Sequence, residues 1–382
     1  MVVKNYRYDN GRYRVYKWIN RKCHYFGDYE TEKGAKERVK QLKENNWEGL
    51  IKPKPRKILF PFPEDEQLIN NVAMERMIKD KTKATYCQSV IHYTDYLNQS
   101  LTSLIELYYR EEENIPWKKR TLKKHLVGFR NHLYSTYLRG TAKNYFSRLL
   151  TLFRHLEIEL SYLPKLNTKN INEPQPITHD DLLTKTELEK AHAIATPLMK
   201  CIILFQSSSG CARRETLNLT VQDYLEANNI ELIDKPVKTL LLKVNTANIP
   251  CFRLKRQKTN KYYFTYCSPQ ANQEILEYLI NRDDLTLESP IFDMNLYYWN
   301  NEYNQINNTL ELGTAGGYNR FRSHMLRKWH ASTLYNNGMS IDDIDSLQGR
   351  SKDSTHQSYF MEDPDLLKQK YESHMDCLLL EV

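Results

Sequence analysis

His324-Met325-Leu326-Arg327 sets a histidine and an arginine three residues apart, and Tyr359 follows 32 positions after that arginine. Residues three apart on a helix project from one face. An arginine can grip a phosphate through two parallel hydrogen bonds, and a tyrosine phenol can attack phosphorus and hold a nucleic acid as a covalent ester. These types together suit phosphodiester cleavage without a metal. Tyrosine occurs 27 times in 382 residues, so one convenient spacing decides nothing alone. Two further basic segments lie upstream. In the stretch 207–219, Gly210 is followed by Arg213, Arg214 and Glu215, which presents arginine at a helix start where backbone amides also favour phosphate. In the stretch 253–261, Lys258-Thr259-Asn260 reads as a tip between two strands, from which a lysine can protonate a departing oxygen as a general acid.

The order of these boxes is what carries meaning. Arginine at a helix start, lysine on a hairpin, His-x-x-Arg, Gly349-Arg350 and then Tyr359 resemble the tyrosine recombinase (phage integrase) family, in its archaeal-type site-specific form. The resemblance is strong over about residues 178–382. It implies catalytic roles for Arg213, Lys258, His324, Arg327, Arg350 and Tyr359, with the three arginines clamping the scissile phosphate. It further implies a covalent 3′-phosphotyrosyl intermediate formed without metal, cofactor or ATP. Two positions depart from the family pattern. The usual place of the first arginine, two residues after the glycine, is Ala212, so Arg213 takes that role with Arg214 as the alternative. The histidine or tryptophan common before the nucleophile is Arg350.

The implied partner is double-stranded DNA with core and arm sites, bound by a homo-tetramer that is a monomer or weak oligomer when free. The implied setting is a mobile element, virus or provirus. The last helix, 364–379, is expected either on a neighbouring protomer or on its own domain. The same residues fit a type IB-like topoisomerase, and a catalytically degenerate DNA-binding regulator is the alternative of a different class. A metal-dependent nuclease would need clustered carboxylates; Asp180-Asp181 and Asp342-Asp343 sit at linker or helix-start positions that favour acids anyway.

The elements that must position these residues read as a multidomain α+β chain. Residues 5–26 alternate like strands, with Arg12, Arg14 and Tyr16 on one face and Asp9-Asn10-Gly11 as a hairpin turn. A helix follows Thr31, with Ala35, Val39 and Leu42 at helical spacing. This small three-stranded sheet plus helix, residues 1–50, resembles the AP2-like arm-binding modules of integrases, and an arginine-bearing strand face is one way to read a DNA groove. A proline-rich linker spans 51–65. Residues 66–165 are helical throughout and fit a core-binding (SAM-like) domain, with Lys118, Lys119 and Lys123 grouped at a helix start where phosphates can sit. A second linker, 166–180, leads to a mixed, mainly helical catalytic domain of the DNA breaking-rejoining type over 181–382. Within it, Thr184 and Glu187 form a capping box, and the segments 230–233, 240–244, 252–257 and 262–266 read as strands.

Charge and composition narrow the setting. Residues 1–60 contain 16 Lys/Arg against 7 Asp/Glu, while the other 322 contain 39 against 40, so the net charge of +8 sits on the front of the chain. A basic module on a near-neutral body points to an anionic partner. No apolar run approaches the roughly 18 residues of a membrane span, and the N-terminus lacks a signal-peptide core. Seven scattered cysteines without a C-x-x-C pair fit reduced thiols, with no zinc site, in a cytoplasmic and nucleoid-associated protein. Deleting residues 1–50 is expected to remove protection of distal arm sites in footprints and to flatten the salt dependence of DNA binding.

Overall fold

The computed structural model describes residues 5–9, 12–19, 22–29, 31–44, 59–160, 162–167, 176–256, 260–283, 285–350 and 363–382. The chain divides into two compact units, Met1–Glu173 and Pro174–Val382. Among the described residues no helix is long and apolar enough to cross a membrane.

The first unit begins with an antiparallel sheet in the order β1 (Tyr6–Asp9), β2 (Arg12–Ile19), β3 (Lys22–Tyr29). Strand β2 pairs Tyr13 with Tyr29 and Tyr16 with Tyr25, and a bulge between Val15 and Tyr16 shifts the register. Helix α1 (Glu32–Glu44) lays Ala35, Val39 and Leu42 onto Val15 and Phe26 to make a small separate core. The Tyr6 hydroxyl donates to Glu32 at 2.8 Å and ties the first strand to the helix start. The Asn10-Gly11 turn and the Arg12 side chain lie outside the described residues, while Arg14 is half-buried.

Helices α2 (Pro63–Glu75), α3 (Asp80–Leu97), α4 (Leu101–Asn114), α5 (Leu122–Thr136) and α6 (Arg139–His155) share a second core built on Tyr93, Leu104, Phe129, Leu149 and Phe153. Two buried acids set its helix starts. The Asp65 carboxylate is fully buried and accepts the Leu101 and Thr102 backbone N–H groups at 2.9 and 3.1 Å. Glu111 does the same for α5, accepting the Thr121 N–H at 2.8 Å and its hydroxyl at 3.0 Å. A carboxylate thus caps this helix start, because orphan amides need an acceptor. Lys118, Lys119, Lys123 and Lys124 remain exposed around it.

The second unit is built around α8 (Pro197–Ser209), whose residues from Cys201 to Ser209 are all buried. Around it pack α7 (Lys185–Ile194), α12 (Pro269–Ile280), α14 (Ser323–Asn336) and strand β5 (Tyr262–Tyr266), which pairs with β4 (Cys251–Lys255). Smaller elements are α9 (Arg213–Asn218), α10 (Val221–Ala227), α11 (Val237–Leu241), α13 (Leu296–Thr309), β6 (Thr314–Ala315), β7 (Tyr318–Asn319) and α15 (Ile341–Leu347). The strands expected at 230–233 and 240–244 are absent. The first stretch is irregular, and the second runs through the end of one-turn α11 into a turn, since short apolar runs carry no period that tells strand from buried helix.

The final helix, α16 (Pro364–His374), packs within its own unit. Tyr371 is buried and donates to the Ser208 carbonyl at 2.9 Å, and Leu378 and Leu380 join the same core. Asp343 pairs with Lys370 and receives the Ser340 hydroxyl, and Asp181 closes a capping box with Thr178, so both acids serve local structure. Asp65→Ala should lower the stability of the helical core by about 2 kcal/mol in denaturant unfolding, since two buried N–H groups lose their acceptor.

Candidate active site

Helix α14 begins at Ser323 with Arg322 as its flanking extended residue, and it carries His324 and Arg327 on one face. The guanidinium of Arg327 is only 6% exposed. Its Nη1 donates to the carbonyl of Gly210 at 2.6 Å and its Nη2 to the carbonyl of Gln348. Gly210 ends α8 in the left-handed region at φ +64, and a Cβ there would meet His330 Nδ1 at 2.6 Å and Gln348 Nε2 at 2.8 Å. Only glycine fits that turn. Arg327 therefore joins three boxes that are far apart in sequence: the Gly210 turn, its own helix, and the segment that leads to Tyr359.

Gln348 is fully buried beneath this junction. Its amide donates to the Arg327 carbonyl at 3.0 Å and to His330 Nδ1 at 2.9 Å, while its own carbonyl also accepts Arg256 Nη1 at 2.8 Å. Burial, with Arg256 next, pushes the Arg327 guanidinium down to about 10. His330 is pushed down to about 3, by burial first and by the nearby Arg327 and Arg350 charges after it. The next residue, Gly349, has φ +57, and a Cβ on it would lie 2.6 Å from the Tyr263 ring of β5.

Above the junction lies an open cleft of about 600 Å³. Arg213, Arg322 and Arg327 supply its cations, and His324, Asn300, Asn304, Asn319 and Ser323 supply neutral polar groups. No carboxylate lines it among the described residues. Arg213, the first residue of α9, donates to Asn300 Oδ1 at 3.1 Å. Arg214 is exposed and does not line the cleft, so the turn at Ala212 aims the first arginine of the pair inward. His324 is held below the usual imidazole value by the protein packed around it, then by Lys328, Arg322, Arg327 and Arg350. It is thus neutral near pH 7 and able to accept a proton.

Arg350 departs from its expected place. It pairs with Asp345 at 3.1 Å and faces a different hollow, lined by Tyr335, Ile341 and Ile344. From there its charge still acts on His324, Arg327 and His330. Lys258 and Tyr359 lie outside the described residues. The hairpin that carries Lys258 is closed by the Arg256 N–H on the Lys261 carbonyl at 2.7 Å, with Asn260 in the left-handed region at φ +59. Arg322, Gln348, Arg256 and Asn300 are members of the site that residue types and spacing do not reveal. Arg322 lies two residues before His324, and Gln348 immediately precedes Gly349.

With this geometry in view, the relatives can be set beside it. Residues 181–365, just under half of the chain, match the phage integrase family. No curated protein sequence matches the chain. Among solved structures, the XerH site-specific recombinase bound to difH substrate aligns at 17% identity and TM-score 0.46 over 87% of each chain. A lambda integrase tetramer bound to a Holliday junction aligns at 15% identity and TM-score 0.45, covering 94% of this chain and 98% of that one. The Tn1549 transposon integrase with transposon right end DNA gives 14% and 0.45, over 81% and 98%.

A buried neutral imidazole makes the junction sensitive to acid. The unfolded chain takes up a proton on His330 near pH 6.5, whereas the folded chain refuses it until about pH 3. Stability must therefore fall as pH drops below about 6.5, by about 2 kcal/mol at pH 5. Thermal unfolding from pH 7 to 5 should show this loss in the parent and a shallower slope in His330→Gln.

Proposed function

We propose that the chain is a tyrosine recombinase that carries out site-specific strand exchange for a mobile element, through a covalent 3′-phosphotyrosyl ester on Tyr359 and without metal or ATP. The convergence of Arg213, His324 and Arg327 on one carboxylate-free cleft, inside the family-matched segment, is the observation that carries this reading. Arg213 and the remaining N–H groups of Arg327 hold the scissile phosphate and offset charge growing on its oxygens. His324, neutral at pH 7, takes the phenolic proton of Tyr359. As the phenolic oxygen bonds to phosphorus, the 5′ oxygen departs with a proton from Lys258. A 5′ hydroxyl of a partner strand later attacks the ester and frees the tyrosine, so the bond energy is kept throughout. Arg350, paired with Asp345, is left out of the phosphate set.

Duplex DNA is the substrate in this reading. The N-terminal sheet binds arm sites through the face bearing Arg12 and Arg14, and exposed Lys118, Lys119 and Lys123 meet the backbone of the core site as mobile charges. Four protomers assemble on DNA, in the cytoplasm at the nucleoid.

Incubating the full chain with nicked duplexes of randomised sequence, denaturing, and mapping the protein-linked strand tests nucleophile, polarity and site together. The parent should give a 3′-linked adduct and Tyr359→Phe none; an adduct that survives this change removes Tyr359 from the mechanism. Arg213→Ala should slow adduct formation by about 10²–10³-fold, the usual cost of losing one charge-stabilising donor, with Arg214→Ala near parental. Duplex binding without any adduct in the parent would leave a regulator, and relaxation of supercoils without strand exchange would leave a topoisomerase.

A further inference from the structure

The guanidinium of Arg322 is half-buried at the cleft wall, and each of its partners is neutral. Its Nη1 donates to the carbonyls of Tyr318 and Asn319, and the group stacks over the Tyr318 ring at 5.6 Å from the centroid. Other arginines of this unit are arranged differently. Arg320 is bidentate to Glu187, Arg282 lies 3.9 Å from Asp293, and Arg350 pairs with Asp345. Arg213, Arg322 and Arg327 have no carboxylate in hydrogen-bond or ion-pair reach among the described residues, and all three line this one cleft. Sheltering a charge from water is costly unless an opposite charge meets it. Three such charges around one open space leave a site whose missing component is an anion. Carbonyls and a ring on one side of Arg322 fix its plane and leave its remaining N–H groups for a bidentate contact.

We propose that Arg322 is the third phosphate ligand of the cleft, in the place that residue order assigns to Arg350. This rests on the reading of the cleft as the seat of the scissile phosphate, and it names a residue outside the expected set. Three guanidiniums on one dianion-like transition state outweigh two in offsetting charge on the equatorial oxygens. The Arg322 charge also acts on His324, helping to keep that imidazole neutral and ready to accept a proton.

Inorganic phosphate tests the ligand assignment independently of recombination. Titrated into the full chain and followed by ³¹P line broadening, phosphate should bind the parent. Arg322→Gln keeps a donor for the Tyr318 and Asn319 carbonyls but drops the charge, and it should weaken binding by about ten-fold. Arg322→Lys should recover part of the loss, and Arg350→Ala should bind as the parent. Parental binding in Arg322→Gln, an equal loss in Arg350→Ala, or no binding by the parent overturns the assignment. Circular dichroism of Arg322→Gln checks its fold, and the lysine variant carries the comparison if the glutamine variant does not fold. On a duplex mapped by covalent attachment, Arg322→Gln should slow cleavage about 10²-fold, and an unchanged rate also overturns it. If phosphate binding is lost as expected while the parent forms no adduct with any duplex, the ligand assignment stands and the recombinase reading fails instead.

Discussion

One buried guanidinium holds the catalytic half of the molecule in register. Arg327 is nearly out of solvent, so its charge is sustained only by the acceptors it reaches, and those are the backbone carbonyls of Gly210 and Gln348. Carbonyl dipoles stabilise a cation without cancelling its charge, which a carboxylate would do. The left-handed turn at Gly210, the burial of Gln348 and the starting point of the segment toward Tyr359 all depend on these two bonds. A side chain with a single donor could not make both at once, and the planar fork of arginine can.

The same charge dictates what may lie near it. His330 sits under the junction as a neutral ring, because protonating it would set a second buried cation beside the first. Arg256 reaches the same Gln348 carbonyl from the hairpin side, and its presence lowers the Arg327 guanidinium further. Such a cluster of like charges is tolerated because its members divide neutral acceptors among themselves. The cleft above then inherits an electric field of one sign.

His324 and Arg327 are legible in the chain because their pairing needs only helical spacing, a local property. The helix α1 face of Ala35, Val39 and Leu42 is legible for the same reason. The choice between Arg213 and Arg214 is not, since it turns on how one residue at Ala212 aims the start of α9. Gln348 and Arg322 are hidden because their importance arises only when segments 21 and 117 residues apart meet at Arg327. The pairing of Arg350 with Asp345 is not legible either, since a sequence pattern does not weigh one ion pair against another. The cap on the basic start of α5 is hidden in the same way, because Glu111 reaches it from a neighbouring helix.

Gly349 fixes a boundary between two segments. The Tyr263 ring lies so close to its backbone that no Cβ fits between them, and Arg256 on the same hairpin bonds the Gln348 carbonyl just before it. The hairpin that carries Lys258 and the segment that carries Tyr359 thus share a face of direct contact at their roots. The root of the hairpin therefore fixes where the segment beyond Gly349 begins, because neither Tyr263 nor Arg256 leaves that backbone room to shift on its own.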